Sequence, residues 1–233
     1  MPKRIERIRK ENERLKKKSP YNFCDRWCEQ CPDSIQNKCR VYQVEFEQKV
    51  TNISLGRDPD DHEIIPEIFE AHFGNALQGL EDFAVEHDTD TDAFDAQESV
   101  EEEGETGRRV DKHPVTGLCD KYMGFAHKFI QYAYREYPAA KKETETIARY
   151  HMLLAVKMKR ALTGILAADD KDEFGLHDGV AQLDVCAKAV TGSLEALRGL
   201  RQACPDLNKS CAGLIALLHR VSESIGELEE NIG

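Results

Sequence analysis

The stretch Leu118-Cys119-Asp120-Lys121-Tyr122-Met123-Gly124-Phe125-Ala126-His127-Lys128-Phe129-Ile130-Gln131-Tyr132 decides the fold. Leu118, Tyr122, Phe125, Phe129 and Tyr132 recur at alternating steps of four and three, which places them on one stripe of an α-helix, and Pro138 closes the run. Three more such patterns follow. Ile147, His151, Leu154, Met158, Ala161 and Ile165 keep the same steps up to the acidic turn Asp169-Asp170-Lys171-Asp172. Leu176, Val180, Leu183, Ala187, Val190, Leu194 and Leu197 lead to Cys204-Pro205. Leu207, Cys211, Leu214, Leu218, Val221, Ile225 and Leu228 come after Asp206, read as an N-cap. Each pattern covers roughly 20–30 residues, about 30–45 Å of helix. Long helices joined by short connections run antiparallel to their neighbours. Residues 113–233 therefore predict an up-down-up-down four-helix bundle in an all-α chain, with no alternating strand pattern competing.

Upstream of the bundle the composition changes sharply. From Glu86 to Thr106 there are ten carboxylates and no Lys or Arg. So little apolar surface cannot offset the entropy of ordering, and residues 86–112 read as an acidic flexible linker. Before it, Asp58-Pro59-Asp60-Asp61 reads as a capping turn for an amphipathic helix within 58–85, whose face is Ile64, Ile65, Ile68, Phe69, Phe73, Leu77, Leu80 and Phe83. At the other extreme, residues 1–20 carry Lys3, Arg4, Arg7, Arg9, Lys10, Arg14, Lys16, Lys17 and Lys18 against Glu6, Glu11 and Glu13. With Ile5, Ile8 and Leu15 as its apolar residues, this piece reads as an exposed basic helix, weakly amphipathic at most.

Between these lies the chemistry. Tyr21-Asn22-Phe23-Cys24-Asp25-Arg26-Trp27-Cys28-Glu29-Gln30-Cys31-Pro32 places three thiols within eight residues, and Cys39 returns soon after. Four thiolates at this density suit one metal centre, tetrahedral zinc or a [4Fe-4S] cluster, because both need four sulfurs converging on a small volume. The other four of the eight cysteines, Cys119, Cys186, Cys204 and Cys211, are scattered through helical pattern, so a disulfide framework is the poorer account. Residues 21–50 thus read as a small N-terminal four-cysteine metal-binding module, with Cys24, Cys28, Cys31 and Cys39 as ligands. Zinc is the favoured metal, since Cys28-Glu29-Gln30-Cys31 has the spacing of a zinc knuckle. Arg26, Lys38 and Arg40 would offset the site's negative charge, and Phe23, Trp27, Tyr42 and Phe46 would wall it from water.

The run C-x3-C-x2-C also resembles, over eight residues, the cluster motif of radical enzymes that use S-adenosylmethionine. That resemblance implies an α/β barrel after the motif and an iron left open by a three-cysteine set. Here a fourth cysteine is at hand, helical pattern follows, and Gln30 stands where that motif usually carries an aromatic residue. Radical chemistry is set aside on those grounds.

Other chemistry finds little support. His127, His151 and His219 fall on or beside the stripes, but the Glu-x-x-His of ferritin-like sites does not occur, so His151 reads as a core histidine bonded to a tyrosine or carboxylate. Phosphate-binding loops, nucleophile elbows and His-Glu-x-x-His are missing, which argues against an enzyme. With 43 acidic and 32 basic residues the net charge is −11, which disfavours nonspecific binding to DNA or anionic lipid. No apolar run reaches the roughly 20 residues of a membrane span. The sequence thus points to a cytoplasmic interaction or regulatory protein that binds another protein. Nucleic acid, reached through the basic helix, is the lesser alternative.

Overall fold

The apolar stripes fold as helices, and no strand occurs among the described residues, 3–18, 20–28, 31–59, 96–167 and 174–232 of a computed structural model. The helices among them are α1 Lys3–Lys16, α2 Asp33–Gln36, α3 Arg40–Ser54, α4 Ala96–Lys112, α5 Pro114–Glu136, α6 Lys141–Ala167, α7 Phe174–Ala203 and α8 Asn208–Ile232. Single 3-10 turns cover Pro20–Phe23, Pro138–Ala140 and Pro205–Leu207. The chain forms two compact units, Met1–Trp27 with Gly104–Gly233, and Cys28–Glu103. The amphipathic helix expected within 58–85 lies outside the described residues apart from its first two positions.

In the first unit α6 lies along α7, α5 packs on α6, and α8 packs on both α7 and α5. Residues late in α6 meet residues early in α7, so the two are antiparallel. A Cβ added to Gly164 would stand 2.2 Å from the carbonyl oxygen of Gly175, and one added to Gly179 would stand 3.0 Å from that of Ala161. Glycine is therefore required on both sides of this contact, which lets two helix backbones approach more closely than side chains permit. Further along, the Tyr150 ring fills the space above Gly192, where a Cβ would stand 2.7 Å from it. A polar clasp adds to the contact. Lys157 donates to Gln182 Oε1 at 2.8 Å, Gln182 to Asp178 at 2.9 Å, and Arg160 donates to both Asp178 oxygens.

The expected stripes of α6, α7 and α8 face inward apart from Ala187, which is half-buried while Cys186 and Ala189 take the inner positions, and every named residue of α8 from Cys211 to Leu228 is buried. The stripe of α5 is displaced. Leu118, Tyr122 and Phe129 are buried, but Ala126 and Ala133 take the inner positions expected for Phe125 and Tyr132, whose side chains are 60% and 45% exposed. The small side chains suit the close contact, and the bulky ones turn outward. Asp206, expected as the N-cap of the last helix, instead lies in the 3-10 turn that precedes Asn208.

Two further expectations are corrected. The basic helix α1 is not exposed all round: Ile5 and Ile8 are buried with Asn12, and the helix packs on α7 and α8. Arg9 donates to Asp184 at 2.7 Å and to Glu229 at 2.6 Å, and Asn12 donates to the His177 carbonyl at 2.9 Å. Two isoleucines one turn apart suffice to dock the helix because its charges find carboxylates on the surface beneath. Likewise residues 96–112, expected within the flexible linker, form α4. Arg109 and Lys112 stand in its last turn, where cations complement the helix dipole. Its C-terminal end is tied down by buried Val110, by Arg109 on the Leu166 carbonyl, and by Lys159 on Asp111. The rest of that expected linker, residues 86–95, lies outside the described residues.

Candidate metal centre

The segment entering the cysteine cluster is held by a buried carboxylate. Asp25 accepts hydrogen bonds from the Tyr150 hydroxyl at 2.9 Å and the Lys188 ammonium at 2.7 Å. Its other oxygen faces the Trp27 amide at 3.4 Å. Trp27 packs edge-on against Tyr150, ring centroids 5.6 Å apart, and the Arg149 guanidinium sits 5.8 Å from its ring. The intervening Arg26 takes φ 61°, a left-handed conformation that side chains disfavour and that the anchors on either side sustain. Asp25 escaped the sequence reading. The signal was present in the motif itself, an acid between aromatic and cationic neighbours, but its partners are 125 residues and more away.

Burial alone would push the Asp25 carboxyl up; the hydrogen bonds from Lys188 and Tyr150, with the Lys188 charge, outweigh it and hold it below the usual range. A carboxyl whose folded value is depressed stabilises the fold above its unfolded value, about 3.9, and that stabilisation fades as pH falls below it. Asp25→Asn is expected to lose about 2 kcal/mol at pH 7, the scale of a charge-assisted hydrogen bond. Thermal melts of both proteins should differ constantly between pH 5 and 7 and converge below pH 4. A difference that persists unchanged to pH 3 would assign the loss to packing.

The cysteines are divided between the units. Cys24 belongs to the first, partly exposed and within electrostatic reach of the Lys157 ammonium. Cys28, Cys31 and Cys39 belong to the second; Cys39 is buried and the other two are partly exposed. Cys28 and Cys31 stand at the two ends of a tight turn in which the Cys31 amide donates to the Cys28 carbonyl at 3.1 Å. The Gln36 amide nitrogen donates to both carbonyls, at 2.8 and 3.0 Å, and so fixes the turn from below. Cys39 occupies the N-cap position of α3. Cys28 Sγ also lies 3.8 Å from Glu45 Oε2. Among the described residues no three Cys, His, Asp or Glu side chains converge as a metal-ligand group.

The aromatic wall is distributed differently from expectation. Trp27 is committed to α6, while Phe46 is 56% exposed and stacks on Tyr42 at 6.1 Å. Arg26, Lys38 and Arg40 are exposed.

The histidines converge in part. His127 and His151 stack across α5 and α6 with ring centroids 5.7 Å apart, and His219 is exposed on α8. His151 is buried as expected, but its Nδ1 meets the Ala148 carbonyl at 2.6 Å, where a tyrosine or carboxylate was expected. Burial, with the neighbouring His127, holds its pKa below the ordinary value against the Ala148 hydrogen bond. Cys119, Cys186 and Cys211 are fully enclosed core thiols; burial raises Cys119 to about 12 and Cys211 to about 11 and pushes Cys186 up as well. Thiols so placed stay protonated and unreactive. Cys204, at the α7–α8 joint, is the partly exposed one of the four.

No helix among the described residues is long and apolar enough to cross a membrane. No family model, no curated protein and no solved structure matches the chain.

Proposed function

We propose that Cys24, Cys28, Cys31 and Cys39 bind one structural zinc ion, and that the chain acts by binding another protein. The observation that carries the zinc reading is the Cys28–Cys31 turn, closed by its own backbone and by Gln36. A turn held in this way leaves the backbone of both cysteines with little freedom to lose on ligation. A second observation supports it. Among its described residues α3 buries Asn52 alone, so this segment has little core of its own, and metal binding supplies folding energy where packing does not. Ligation gathers the thiols, and Cys24 joins by its position four residues before Cys28.

The partner reading rests on charge. Lys10 and Arg14 on α1, with Lys17 and Lys18 just after it, face solvent while the other side of the helix is docked, which leaves a basic surface for an acidic protein. Nucleic acid is the lesser alternative for the same surface. In this reading α5 to α8 form the up-down-up-down four-helix bundle that carries both features. The support is the contact of each helix with the next and of α8 with α5.

Elemental analysis of anaerobically purified protein tests the metal. One zinc and no iron per chain is the expected result. Iron with acid-labile sulfide would make this a [4Fe-4S] protein, the alternative use of the same four thiols. A protein that carries neither zinc nor iron would overturn the proposal.

A further inference from the structure

The aromatic residues displaced from the core stripe of α5 do not lie on a featureless surface. Phe125, Phe129 and Tyr132 form one wall of an open groove of about 650 Å³, and Gly213, Leu214 and Leu217 of α8 form the other. Its floor is apolar, with Phe129 and Leu214 buried, while Phe125 and Tyr132 stand at the mouth. Phe125 and Tyr132 are seven residues apart, about 10 Å along the helix. The charged residues lining the groove are Lys128 from α5 and Lys209 from α8, one cation on each wall. That is notable in a chain of net charge −11, where acids outnumber bases. Gly213 lines the groove from α8 and puts no side chain into it. A Cβ there would meet nothing within 4 Å, as is true of Gly124 and Gly226, so no packing contact requires the glycine and a larger side chain at this position can be used to fill the groove. What its missing side chain does is keep the groove open.

We infer that this groove binds a small anionic amphiphile, an alkyl or aryl-alkyl carboxylate whose body lies along Phe125, Phe129 and Leu214 and whose carboxylate sits between Lys128 and Lys209. The volume lies within the range of small-molecule clefts, roughly 300–1,000 Å³. The acidic surface elsewhere does not forbid an anion, because salt screens charges beyond about 8–10 Å while the two lysines are adjacent to the bound group. The site is built from α5 and α8 and uses none of the four clustered cysteines, so it is independent of the zinc proposal.

Calorimetric titration of the full chain with decanoate, kept below its micelle concentration, tests this. Decanoate should bind one per chain, and nonyltrimethylammonium, with the same nine-carbon alkyl chain and opposite charge, at least about tenfold more weakly. Replacing both lysines (Lys128→Gln with Lys209→Gln) should weaken decanoate about tenfold and abolish the preference between the two amphiphiles. Gly213→Leu should fill the groove and eliminate binding while the melting temperature stays the same or rises, since no atom stands within 4 Å of the new Cβ and leucine is the better helix former. Undiminished decanoate binding to a folded Gly213→Leu protein would overturn the inference. So would equal binding of the cationic amphiphile, or no decanoate binding while a synthetic Glu-flanked amphipathic peptide does bind, which would assign the groove to a helical partner.

Discussion

Gly164→Ala is expected to lower the melting temperature by roughly 10 °C, although alanine is the better helix former by 0.5–1 kcal/mol. The reason is steric. The added methyl would stand 2.2 Å from the Gly175 carbonyl oxygen and about as close as contact allows to the Gly179 backbone, at 3.0 Å, so α6 and α7 must separate. Neither obstacle is a flexible side chain that could swing away. Overpacking of this kind destabilises by about 1–3 kcal/mol or more, and each kcal/mol shifts the melting temperature by about 2–4 °C in a chain of this size. Gly124→Ala and Gly226→Ala supply the control. Both are helix-interior glycines with nothing within 4 Å of an added Cβ, and each should raise the melting temperature by about 2 °C. If all three substitutions shift stability in the same direction, the close approach of α6 and α7 is not what requires Gly164.

The second large effect concerns the metal. Cys28→Ala, or removal of zinc by a chelator, should abolish amide-exchange protection through residues 28–55 and leave α5 to α8 protected. Structural zinc contributes apparent binding energies of about 10–16 kcal/mol in small metal-folded domains, far more than α3 can recover from the burial of Asn52. From the cysteine spacing alone the melted segment would begin near residue 20. The anchors of Asp25 on Tyr150 and Lys188, and of Trp27 on Tyr150, move that limit to Trp27. Hydrogen exchange read by mass spectrometry separates the two boundaries. Protection across 28–55 that is unchanged in Cys28→Ala would sink the zinc proposal.

The four long helices were legible because apolar residues spaced by three and four have few other ways to be buried together. Their register was less so. In α5 the sequence offers Phe125 or Ala126, and Tyr132 or Ala133, as neighbours competing for one inward direction. Hydrophobicity chooses the aromatics, whereas close helix contact chooses the alanines. The four glycines of α7, each unfavourable to an isolated helix, were the available sign that backbone proximity governs this packing. The docking of α1 was hidden for a different reason. Its charges look like a solvated face until Asp184 and Glu229, far away in sequence, are brought beneath Arg9. The cysteine cluster stood out by density alone, but which unit each thiol belongs to depends on the contacts of Asp25 and Trp27, and no spacing rule contains those.

Arg9 and its contact with Glu229 also set an order of events. With Asp184 175 residues away and Glu229 220 residues away, α1 has no partner for that charge until α7 has been made and no second one until α8 follows. Ile5 and Ile8 wait with it, at least until α7 emerges. Until then Ile5, Ile8 and Arg9 lack the surface that buries and pairs them in the fold. The final docking step is a long-range closure, and it should be the slow phase of folding, later than the pairing of α6 with α7.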